Sequence, residues 1–222
     1  MWNVLKSPEL LVSIISACIA LVAIWQTHKQ IKLSNKQQLF ERRLNSYMFL
    51  SDFLGLYKTS RELIEQERQD KPIESIENEF VYLTNSAYLE NITYVIREQF
   101  FSDLHKRFLL KREEIKKEAK TLLFLFDKKI SAPMSDFLLC YEKLLAEMRA
   151  YQKFLNDVRD DSDKEIVIRK MTMEQRLDFF EEKEKREPLL NAYRELKEAY
   201  AKIEKEKLEE KLADAICLNK KH

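Results

Sequence analysis

Residues 10–25 read LLVSIISACIALVAIW, with no charged side chain, and the first charge after them is Lys29. Hydrocarbon offers a backbone no hydrogen-bond partners, so a segment that enters it must be helical. At 1.5 Å per residue this run covers about 24 Å, and Gln26 and Thr27 extend it toward the roughly 30 Å of a bilayer core. Ser7-Pro8-Glu9 reads as a helix start, with Ser as N-cap, Pro at the first helical position and Glu at the positive dipole end. Trp2 and Trp25 are placed to act as interfacial anchors, about 35 Å apart along such a helix. The span is expected over about residues 8–27.

The remainder points to helices too. One Gly and four Pro in 222 residues leave little material for tight turns, Gly-rich phosphate loops or β-hairpins. Charged residues make up 35% of the chain, yet the net charge is +1, as expected of exposed helices laced with ion pairs. A nucleic-acid partner needs a basic excess that this balance lacks. The expected fold class is all-α: an N-terminal transmembrane helix followed by an elongated helical bundle with coiled-coil character. Three regions are expected: an anchor over 1–28, a juxtamembrane helix over 29–71 and a cytoplasmic helical region over 72–222.

Charge also predicts orientation. Lys29, Lys32, Lys36, Arg42 and Arg43 follow the span, and only Lys6 and the amino terminus precede it, which places the C-terminal side in the cytoplasm. Lys29, Lys32 and Lys36 share a helical face at headgroup level. Ser16, Ala20 and Ala23 follow i, i+4, i+7 spacing, a small-residue face suited to close approach of two spans. Ile15-Ser16-Ala17-Cys18 has the look of a lipobox, but the apolar run continues to Trp25 where a lipoprotein turns polar, so the span is expected to be retained. Cys18, Cys140 and Cys217 are widely spaced and odd in number, with no paired spacing that would suggest a disulfide framework, and read as reduced thiols.

Apolar spacing predicts a helix from Gln26 to about Arg68, a weaker one over 73–95, and a third over 97–126. A fourth is expected to start at Ser131-Ala132-Pro133 and to carry a heptad-like seam: Met134, Phe137, Tyr141, Leu144, Met148, Tyr151, Leu155 and Val158. After a polar connector over 156–171, Thr172 and Gln175 form a capping-box pattern. The last segment is interrupted at Pro188 and then runs through Leu189, Tyr193, Leu196, Tyr200 and Ile203, beyond which the apolar register slips to Leu208, Leu212 and Ile216.

Chemistry-bearing motifs are sparse. Asp161, Asp163 and Glu165 alternate like the start of a calcium loop, but Ile166 and Thr172 stand where Gly and Glu are needed. His28, His105 and His222 are scattered, and Arg97 to His105 is too long a spacing for a helical ribonuclease. No P-loop, dinucleotide fingerprint, HExxH or CxxC is present. Catalytic, cofactor and metal residues are therefore expected to be none.

Residues 20–47, ALVAIWQTHKQIKLSNKQQLFERRLNSY, resemble the start of uncharacterised bacterial single-span membrane proteins, in which a similar polar stretch follows the span. The resemblance implies a bacterial inner-membrane protein and no active-site residue. The expected function is a membrane-tethered, non-enzymatic scaffold, adaptor or sensor. Its partners would be membrane lipid and either a second copy or another helical protein, met through a seam of Tyr193, Leu196, Tyr200 and Ile203. The alternative is a membrane effector whose assembled spans perturb the bilayer in stress or phage defence.

Overall fold

The computed structural model describes residues 8–66, 75–98, 102–161 and 171–216, and every regular element among them is helical. In chain order these are α1 (Pro8–Gln66), α2 (Glu77–Thr84), a 3₁₀ segment (Glu90–Arg97), α3 (Asp103–Leu125), α4 (Lys128–Asp161), α5 (Met173–Phe179), α6 (Glu182–Glu206) and α7 (Leu208–Ile216). Two compact units divide between Arg43 and Leu44. Residues of α1 up to Arg43 make the first. The second therefore starts well before residue 72, because Phe49, Leu50, Phe53, Leu54, Tyr57 and Ile64 of α1 are buried in its core.

Within the second unit α4 is the central element, packed on α3 and α6 and touched by α2, the 3₁₀ segment and α7. All eight of its seam residues are buried. So are Leu138, Leu145, Arg149 and Gln152, which widen the stripe well beyond a and d positions. A face that broad belongs to a helix covered by several neighbours, whereas a two-helix seam is narrower. From α1, Phe53 meets Tyr141 edge-on with centroids 4.9 Å apart, and Tyr57 lies 4.9 Å from Tyr200 of α6.

α2 is held from outside. It has no side-chain cap of its own. At its start the Ile76 N–H donates to Gln152 Oε1 at 3.1 Å, and in its last turn the Leu83 carbonyl accepts from the Tyr141 hydroxyl at 2.6 Å. Both partners are buried α4 side chains. The unsatisfied end groups of a short helix are thus completed by its neighbour.

Several boundaries differ from expectation. In place of one helix over 73–95, α2 ends at Thr84 and a turn leads into the 3₁₀ segment; Asn85 departs from helical geometry, and Thr93 Oγ1 donates back to the Thr84 carbonyl at 3.1 Å. α3 starts at Asp103, not near 97, because Ser102 Oγ accepts from the His105 backbone N–H at 3.1 Å. α4 starts at Lys128, ahead of Ser131, with Asp127 Oδ1 accepting from the Lys129 N–H at 2.9 Å, so Pro133 lies inside it. Pro188 likewise sits inside α6. The breaks in the last region fall instead at Glu181 and Lys207, both left-handed with φ of 55° and 51°. The Lys207 break coincides with the slip in apolar register. The Thr172–Gln175 capping box is present, with Gln175 N–H to Thr172 Oγ1 at 3.3 Å and Thr172 N–H to Gln175 Oε1 at 2.9 Å.

Candidate functional site

The first unit presents apolar side chains outward. Val12, Ile14, Ile15, Ile19, Leu21, Val22, Ile24 and Trp25 are 46–67% exposed. Of the described helices, α1 alone is long and apolar enough to cross a membrane, with a window of mean hydropathy 1.4, none of it buried. A contiguous apolar surface of this kind marks a membrane or a partner, whereas a soluble core helix hides its apolar face. At its C-terminal end Thr27 is tied to the backbone: its Oγ1 donates to the Ala23 carbonyl at 2.8 Å. Trp25 carries Lys29 Nζ 5.5 Å from its ring centroid. Ser16, Ala20 and Ala23 are exposed, as are Lys29, Lys32 and Lys36.

In the second unit two buried carboxylates are engaged by ionisable neighbours. Glu142, on α4, meets Arg112 and Lys116 of α3. Glu182 accepts from the Tyr151 hydroxyl and pairs with Arg186 at 3.3 Å. Burial pushes the Tyr141 and Tyr151 hydroxyls well up, with Asp52 adding to the first and the Glu182 hydrogen bond to the second. The Cys140 thiol is also pushed up, first by burial and then by Glu195 and Asp136. A thiol so placed is a poor nucleophile. His105 is pushed down by burial and by the Arg149 and Arg112 charges. The Glu142 and Glu182 contacts join neighbouring helices. No group of three His, Cys, Asp or Glu among the described residues is placed to hold a metal.

A cavity of about 710 Å³ at the α5–α6 corner is lined by Thr172, Leu177 and a run of carboxylates, and its buried Glu182 is already taken by Tyr151 and Arg186. More distinctive is a groove of about 540 Å³ on α1, lined by Tyr47, Met48, Ser51, Asp52, Gly55, Leu56, Thr59 and Tyr88. Gly55 is the one glycine of the chain. A Cβ built on it meets nothing within 4 Å, and its φ is not positive. Neither in-chain packing nor backbone geometry explains a glycine there, although it lowers helix stability. Met48 beside it is 53% exposed, and Asp52 Oδ2 is buried without a hydrogen-bond partner.

The expected partner seam is placed differently. Tyr193, Leu196, Tyr200 and Ile203 are 0–8% exposed, covered by the chain's own helices. The face expected to meet another molecule is filled from within, because α4 and α1 supply complementary side chains. The groove at Gly55 was not among the expected sites; the lone glycine in the middle of a helical pattern was its signal. Trp2, Asp163, Glu165, Cys217 and His222 lie outside the described residues, as does the side chain of Asp161. No protein family matches the chain, and no curated protein or solved structure matches it either.

Proposed function

We propose that the chain is a membrane-tethered interaction protein of the bacterial inner membrane: a single span over about residues 8–27, the N-terminus outside, and a cytoplasmic helical domain that docks a helix of a second copy or of another protein. The observation that carries it is the outward apolar surface of residues 12–25. The docking half rests on the groove over Gly55, where a glycine without an in-chain reason leaves room for close approach of another backbone. The bundle-like packing around α4 supplies the rigid support that such a surface requires.

Two measurements test this. Phosphatase and cytoplasm-active fluorescent reporters are fused separately after His222. A bright fluorophore with silent phosphatase is expected, and the reverse overturns the orientation. A photo-crosslinking amino acid in place of Met48, exposed beside Gly55 in the groove and irradiated in cells, is expected to yield an adduct with a polypeptide. Irradiation that leaves only the uncrosslinked chain contradicts the docking role.

A further inference from the structure

The charge of this chain is near zero only as an average. Residues 1–43 hold six Lys and Arg against two Asp and Glu, a net of +4, leaving −3 for the rest. From Gln26 to Phe40 there is no acidic residue, and the next one, Glu41, accepts from Gln37 Nε2 at 3.0 Å. At about 100° per residue, Trp25, Lys29, Lys32 and Lys36 fall within a 60° arc of α1, a single stripe. Lys29, Lys32 and Lys36 are all exposed. Lys29 lies over the Trp25 ring at 5.5 Å, which fixes the first ammonium at the level of the aromatic anchor. The other two follow about 10 and 16 Å beyond Trp25 along the axis. The first two reach headgroup depth through their flexible stems, and the third stays about a Debye length from the surface.

We propose that Trp25, Lys29, Lys32 and Lys36 form a binding stripe for anionic phospholipid headgroups, so that the tether gathers phosphoglycerol-type lipid around itself. The ring anchors the depth, and the ammonium groups, which make no ion pair with a carboxylate among the described residues, take phosphate oxygens. This rests on the reading that residues 8–27 span a bilayer.

The test uses the full chain carrying Trp2→Phe, which leaves Trp25 as the sole tryptophan, excited selectively beyond the tyrosine absorption and reconstituted in phosphatidylcholine. Phosphatidylglycerol or phosphatidylcholine brominated high on the acyl chain is then titrated in. At equal mole fraction the brominated phosphatidylglycerol is expected to quench with a roughly fivefold higher relative association, about one lysine's worth of surface attraction. The preference should fall to near unity in K29Q/K32Q/K36Q and in roughly 1 M salt, where the Debye length is about 3 Å. Equal quenching by the two lipids overturns the proposal while leaving the span intact. A preference that survives the triple substitution overturns the assignment to this stripe. Trp25 unquenched by either lipid overturns the span reading itself.

Discussion

Replacing Gly55 by Ala should make the protein more stable. Gly55 lies in the interior of α1, its φ is not positive, and the new methyl group meets no atom within 4 Å. Nothing in the fold therefore offsets the helix-propensity difference, about 0.8–1.0 kcal/mol in favour of Ala. Much of that gain comes from the narrower unfolded ensemble. In a unit of this size, 1 kcal/mol corresponds to roughly 2–4 °C in Tm. Far-UV circular dichroism of the full chain in mild detergent reads the shift. Gly55→Leu should stabilise similarly, since Leu is close to Ala in propensity and the space is open, but its side chain fills the groove. Crosslinking from a neighbouring groove position such as Met48 should then be lost in Gly55→Leu and retained in the parent chain. A lower Tm for Gly55→Ala would refute the open-space reading. A stabilised Gly55→Leu that still crosslinks would refute docking over Gly55.

Two further outcomes follow from the buried polar groups. Tyr141→Phe removes the hydroxyl that completes the last turn of α2 and should destabilise by about 1 kcal/mol in denaturant titration. Combined with Gln152→Leu, which removes the cap at the other end, the loss should be non-additive because both hold one short helix; strict additivity would contradict the shared role. His105 has a folded-state pKa below its ordinary value of about 6.5, so the unfolded chain binds the proton more readily and stability falls as pH drops through that range. His105→Gln should remove this part of the slope between about pH 7 and pH 5.5, and an identical slope in both proteins would show that the residue is not responsible.

The parts of the fold that were legible in the sequence are those set by local periodicity. The heptad-like positions Met134 to Val158 and the row from Leu189 to Ile203 are all buried, because a helix with one apolar face has one way to hide it. The Thr172–Gln175 box was equally readable, since both of its hydrogen bonds are local. Partner choice was not. Whether the α6 row meets a second copy or α4 depends on side chains more than 40 residues away, and spacing alone does not distinguish them. The ends of α2 are capped by Tyr141 and Gln152, so no local pattern announces them. The breaks at Glu181 and Lys207 lack the glycine that usually marks a left-handed residue at a helix end. Pro133 and Pro188 misled in the opposite direction: each lies past the N–H groups that a helix start leaves free, yet its helix continues through it.

The central claim, that residues 8–27 cross a bilayer, is tested most directly at Cys18, which is exposed near the middle of the proposed span. A nitroxide is attached there in the full chain carrying Cys140→Ser and Cys217→Ser, reconstituted in liposomes. Its collisions with oxygen, which concentrates in hydrocarbon, are compared with those of a water-soluble nickel chelate. A transmembrane α1 predicts frequent oxygen collisions and almost none with nickel, with the balance reversed for a label at position 36. Nickel access at position 18 equal to that at position 36 would contradict it.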